Sequence, residues 1–152
     1  MVKNIPHGAR ARTRARRLVL QGLYQWQMSG AATREIIAHL YLSQNSGDTD
    51  TDYFEELLSR TIVDSIPLDA LLSPRLDRPL AQLDPIEHGI LLLSACELKT
   101  RPDVPYRVVL NEAVELARKF GAEDSHKYIN AVLDKLSVEL RAAECKQRTH
   151  LS

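Results

Sequence analysis

The sequence predicts an all-α protein of about seven helices in two packed helical bundles. Three observations carry this. Apolar residues recur at spacings of three and four along most of the chain, the signature of helices buried along one stripe. Capping residues, prolines and glycines bracket those windows where helix ends need them. No stretch combines two-residue alternation with β-branched enrichment, so no sheet is read. At 152 residues the chain is the size of one domain, long enough to bury roughly two thirds of its unfolded surface.

In the first helix, about 9 to 29, Ala15, Val19, Gly22, Leu23 and Trp26 make the apolar stripe, and Ser29 and Gly30 end it. Thr33 is placed to cap a second, whose stripe is Ile36, Ile37, Leu40 and Tyr41. The segment SQNSGDTD is a loop of turn residues. A third helix carries Phe54, Leu57, Leu58, Thr61 and Ile62, with Asp50, Asp52 and Glu55 near its positive end. A short fourth helix fits between Pro67 and 73. A proline-rich connector at about 74 to 84 then separates an N-terminal bundle, about 9–73, from a C-terminal one, about 85–144, within a single domain.

Asp84, Pro85 and Glu87 supply a capping side chain, a proline at the first helical position and an acid three residues after the cap. The helix they open is apolar nearly all round through ILLLSAC, so it is expected to be central. Pro102 and Pro105 close it and open a sixth, striped by Val109, Ala113, Leu116, Ala117 and Phe120 and stopped at Gly121. Asp124 or Ser125 caps the last, buried along Ile129, Val132, Leu133, Leu136 and Leu140. The tail after Glu144 lacks periodicity and is expected to fray.

The formal net charge of zero hides a strong asymmetry. The first 34 residues hold seven lysines and arginines and no acid, while the rest holds 13 basic and 20 acidic residues. A basic arm on a body that does not itself attract polyanions is the implied arrangement. Five of those cations, Arg10, Arg12, Arg14, Arg16 and Arg17, fall within eight positions. On a helix Arg10, Arg14, Arg17, Gln21 and Tyr24 lie along one side, opposite much of the apolar stripe, with Arg12 and Arg16 flanking them. Guanidinium groups suit phosphates because each presents a planar fork of donors that keeps its charge. A tyrosine on the same side offers a surface for stacking an unpaired base, so single-stranded RNA fits better than duplex DNA. A solvated helix end that binds nothing in particular is the plain alternative. Without acids at i+4, however, five such arginines repel one another and destabilise their helix, which favours a ligand. If four or five phosphates are neutralised, log affinity against log salt should slope at about −3.

Other classes find less support. Cys96 and Cys145 lie in no zinc-binding spacing, and the five histidines are scattered, so neither a metal site, a cofactor nor a catalytic set is expected. No phosphate-binding glycine loop occurs. No apolar run approaches the roughly 18 residues needed to span a bilayer. RRLVLQ resembles a twin-arginine signal, but Gln21, Gln25 and Gln27 interrupt any apolar signal core and the segment reads as structural helix. A cytoplasmic protein, monomer or homodimer, is expected.

Three stretches together resemble the NusB transcription antitermination family: RARRLVLQGLYQWQ, LDPIEHGILLLSACEL and DVPYRVVLNEAVELARKFGAEDSHKYINAVLDKL. The last is the most specific. The resemblance implies two helical bundles and a non-enzymatic protein that binds the boxA element of nascent RNA. It implies a partner, a small-subunit ribosomal protein called NusE in that role, within a complex that makes RNA polymerase resistant to termination on ribosomal RNA operons. It also implies residue roles. The family's arginine-rich RNA motif matches Arg12, Arg14 and Arg16, its stacking tyrosine matches Tyr24, and its RNA surface continues at Asp124, Lys127 and Tyr128. Glu87 falls at a position implicated in RNA and partner contacts. Alternation of small residues with arginines, and Arg17 in the series, depart from the family pattern. Plainer roles exist for several of these: Asp124 and Glu87 as capping residues, Tyr128 as half-buried core, Lys127 as surface charge. A related helical fold occurs in certain ribosomal RNA cytosine methyltransferases, so an RNA-binding helper in ribosomal RNA methylation is the alternative function.

Overall fold

The computed structural model describes residues 5–151. Among them are eight α-helices and two short 3-10 turns, and no strand. The helices are α1 (Ala9–Ser29), α2 (Thr33–Ser43), α3 (Thr51–Val63), α4 (Ser65–Leu72), α5 (Pro85–Thr100), α6 (Tyr106–Phe120), α7 (Ser125–Leu140) and α8 (Ala142–Leu151). They divide into two compact units, Met1–Val63 and Asp64–Ser152.

In the first unit α1 packs on α2 and α3. Ala15, Val19 and Leu23 of its stripe are fully buried, facing a core that includes Phe54, Leu58, Ile36 and Leu40. α1 stops at Gly30, which adopts φ 67°, a left-handed conformation that glycine reaches without strain, and returns its N–H to the Trp26 carbonyl. Thr33 does not cap α2. It is the first helical residue, Ala32 precedes it, and no side chain caps the end. Asp50 caps α3 instead, its carboxylate accepting from the Tyr53 N–H at 3.1 Å.

In the second unit α5 is central, as its all-round apolar sequence requires. Ile90 to Cys96 are all buried, and α4, α6 and α7 pack on it. Asp84 accepts from the Glu87 N–H at 2.8 Å with Pro85 in the first turn, as the sequence predicts. The division between the units falls at Val63 and Asp64, before the proline-rich stretch. The cause is α4, whose buried Leu68 and Leu72 belong with α5 and α7. Within 74–84 the chain runs through the 3-10 turns Ser73–Arg75 and Leu80–Gln82.

The expected frayed tail is instead helix α8. Arg141, 7% exposed, ends α7 and donates to the carbonyls of Leu98 (2.9 Å), Arg101 (2.8 Å) and Val104 (2.9 Å), the backbone where α5 ends. It also pairs with Glu144, whose other oxygen accepts the Tyr106 N–H at the start of α6, 3.1 Å away. One guanidinium thus satisfies carbonyls that a helix end leaves orphaned, and Glu144 ties the first turn of α8 to it.

Gly121, after α6, is a point of close approach. A Cβ there would lie 2.5 Å from Ser125 Oγ and 2.7 Å from the Ala117 carbonyl oxygen. The carbonyl cannot turn aside, so Gly121→Ala is expected to destabilise the protein by about 1–3 kcal/mol, read as a lower urea midpoint with an unchanged slope.

Candidate nucleic-acid interface

The five clustered arginines separate into two groups once α1 is folded. Arg10 and Arg14 are exposed and Arg17 half-buried, and none of the three has an ion-pair partner among the described residues. Arg12 and Arg16 turn toward α3. The Arg12 guanidinium lies 4.5 Å from the centre of the Tyr53 ring, with Nε 3.8 Å from Asp50. Arg16 is 2% exposed and lies 5.4 Å from the same ring. Each cation over a ring contributes about 0.5–2 kcal/mol, and the Arg16 stem is buried as core.

The expectation that these arginines lack compensation therefore needs correcting. Asp50 is buried, and besides capping α3 it meets Arg12 and the His7 imidazole, 3.2 Å away. Compensation comes from the loop before α3, some 40 residues along the chain, where a search for i+4 acids on α1 does not look. The repulsion that remains concerns Arg10, Arg14 and Arg17.

Those three continue along α1 to Tyr24. Positions 10, 14, 17, 21, 24 and 28 alternate steps of four and three, which keeps them on one side of the helix. The Tyr24 ring is 44% exposed and has no hydrogen bond or ring contact with another described residue. The first unit therefore presents a flank of charge ending in an unengaged aromatic. A polyanion with accessible bases can satisfy both parts.

The remaining site residues of the sequence lie in the second unit. Tyr128 on α7 is half-buried. Its Oη accepts the Asp77 N–H at 3.4 Å, and the Arg78 guanidinium covers its ring at 4.3 Å. Burial pushes the Tyr128 phenol up from its ordinary range. Arg78 also holds Asp77 through Nε, 2.8 Å from Oδ1, and draws that carboxyl below its ordinary range. Arg78 was not singled out from the sequence. Its partner ring is 50 positions away on α7, and nothing local marks the pair.

Asp124 precedes α7 at φ 66°, a left-handed conformation that aspartate tolerates better than most residues. It makes no side-chain cap, so the expected capping role is not realised. Its carboxylate instead stands 3.5 Å from Lys127 Nζ, and both side chains are exposed.

Glu87 is only 7% exposed. Burial, and then a hydrogen bond to the neighbouring Asp84 carboxyl, raise its pKa above 4.5. A carboxyl with a raised folded-state pKa stabilises the fold when protonated, and that contribution is lost as pH rises through the folded value. Glu87→Gln is therefore expected to gain stability relative to the parent as pH rises from about 4 to 7, as measured by thermal unfolding across that range. A constant difference between the two would contradict the assignment.

Among the described residues no cluster of three or more histidine, cysteine, aspartate or glutamate side chains could hold a metal ion. Nor is any helix long and apolar enough to cross a membrane.

Fold and site together define an all-α protein whose first helix carries a cationic flank without ion-pair partners among the described residues. The NusB family model matches residues 13–138, and the chain belongs to the NusB family. It is 50% identical to the transcription antitermination protein NusB of Alcanivorax borkumensis over 95% of this chain and 97% of that one. Its identity to the protein of the same name from Paraburkholderia phytofirmans is 51%, over 88% and 93% respectively. Among solved structures, T. maritima NusB matches with a TM-score of 0.73 at 25% identity, over 84% of this chain and 90% of that one. A crystal structure of antitermination factors NusB and NusE in complex with dsRNA matches with a TM-score of 0.70 at 21% identity, over 85% of this chain and 97% of that one. That degree of identity bears on the fold alone.

Proposed function

We propose that this chain is a transcription antitermination factor of the cytoplasm, without a catalytic step of its own. It binds boxA RNA together with the small-subunit ribosomal protein NusE, and the assembly makes RNA polymerase resistant to termination on ribosomal RNA operons. The name shared by relatives about half identical over most of the chain supports the role. The observation that carries the RNA reading is the flank of Arg10, Arg14 and Arg17, without ion-pair partners among the described residues and ending in an exposed Tyr24.

In this reading the three arginines hold phosphates by charge and Tyr24 stacks on an unpaired base. Arg12 and Arg16 act indirectly, by pinning α1 to Tyr53 and Asp50 so that the exposed three are presented from a rigid helix. Glu87, Asp124, Lys127 and Tyr128 are assigned to RNA or partner binding by family position, with Arg78 holding the Tyr128 ring. The basic flank alone binds weakly and with little sequence preference, and the ribosomal protein adds affinity and selectivity.

The test is a titration of labelled boxA-like and scrambled single-stranded RNA, with and without the ribosomal protein, at two salt concentrations. Alone, the chain is expected to bind both RNAs with affinity that falls as salt rises, and the partner is expected to favour boxA. Affinity that ignores salt would contradict the phosphate grip. Equal enhancement of both RNAs by the partner would contradict the division of labour.

A further inference from the structure

Where the cationic flank ends, α1 and α2 leave an open cavity of about 420 Å³. Tyr24 and Met28 line it from α1, and Glu35, Ile36 and His39 from α2. Met28 is 56% exposed, so two large apolar side chains one turn apart stand in water beside the cavity. Glu35 has no ion pair among the described residues, despite lying in a unit rich in arginine. An aromatic face, a thioether and an unpaired carboxylate at one opening are what a planar heterocycle with polar edges requires. A base stacks through its faces and is told apart by the donors and acceptors on its rim.

The direction of approach argues for the same occupant. A strand held by phosphates along Arg10, Arg14 and Arg17 reaches Tyr24 two turns later, at the mouth of the cavity. An acidic peptide would be drawn by the same charge but would meet Glu35 with like sign. A nucleobase meets it with an exocyclic amine, the group a carboxylate accepts from.

We infer that the cavity between α1 and α2 is a pocket for one unpaired nucleobase, stacked on Tyr24 and read at its edge by Glu35. The pocket selects bases carrying an exocyclic amino group over uracil, whose carbonyl oxygens the carboxylate repels. This rests on the RNA-binding reading above and adds a site of base choice to it.

The experiment uses the full chain and a single-stranded boxA-like RNA in which an abasic residue is walked along the strand. One position is expected to cost on the order of tenfold in affinity when its base is removed. Ala31→Leu, which fills the cavity from the α1–α2 connection, should abolish the penalty at that position while leaving the salt dependence intact. Glu35→Gln should bring the preference for amino-bearing bases over uracil there close to one, with folding unchanged because the side chain is exposed. Salt-dependent RNA binding with an abasic profile and base preference that neither variant alters would overturn the pocket and leave the flank standing. Wild-type protein that binds no RNA would overturn both. Should Ala31→Leu change the sedimentation of the protein and leave the abasic profile alone, the cavity seats a second copy and the inference fails.

Discussion

Replacing Arg10, Arg14 and Arg17 together by glutamine is expected to weaken binding of single-stranded RNA about a hundredfold at 0.1 M salt. Each phosphate contact on a single strand contributes about 0.7 to the slope of log affinity against log salt, so three contacts contribute about 2, equivalent to about two decades at that salt. The slope itself should fall by the same amount, which separates lost phosphate contacts from a disturbed fold. Stability should hold or rise slightly, because three like charges on one helix flank repel one another and no ion pair among the described residues is lost. The contrast with Arg16 is the useful control. Arg16→Ala removes a buried stem and a cation from the Tyr53 ring, so it is expected to lower stability by about 2–4 kcal/mol. Its effect on RNA affinity should shrink as temperature is lowered and the folded fraction restored. An undiminished loss of affinity in fully folded Arg16→Ala protein would mean that this guanidinium reaches the ligand after all.

The largest effect on stability is expected at Arg141, outside the cationic flank. Arg141→Met should cost about 3–5 kcal/mol, since it leaves the Leu98, Arg101 and Val104 carbonyls without their buried donor and Glu144 without its cation. Against a total stability of about 5–15 kcal/mol this is a severe loss, corresponding to a fall in Tm on the order of 10 °C for a chain of this length. Arg141→Lys should recover little of it, because an ammonium lacks the planar fork that reaches several carbonyls at once. Glu144→Gln should be milder, as the carbonyl contacts survive and an amide oxygen can still accept from Tyr106 N–H. A lysine variant as stable as the parent would show that the charge matters at this junction and the geometry does not.

The two cases mark what the sequence makes legible and what it hides. Local features were readable: the Asp84 cap with Pro85 and Glu87, the left-handed stop at Gly30, and the side of α1 shared by Arg10, Arg14, Arg17 and Tyr24. Each is settled within a turn or two of helix. What escaped depends on contacts between residues far apart in the chain. Periodicity says that Leu68 and Leu72 are buried but not against which helix, so it does not show that α4 packs with α5 and α7. Arg12 and Arg16 differ from Arg14 only in facing Tyr53, and Arg78 from any loop arginine only in covering Tyr128. Arg141 and Glu144 carry no apolar period, so their junction read as the start of a frayed tail. The cavity beside Tyr24 needs α2 in place before it exists.

Cross-linking of a photoreactive boxA-like RNA to the folded protein, followed by identification of the modified residues, tests the central assignment most directly. Adducts are expected on α1 between Arg10 and Met28, concentrated at Tyr24, and are expected to disappear when Arg10, Arg14 and Arg17 are glutamine. Adducts confined to other helices, with RNA affinity unchanged in the triple variant, would contradict it.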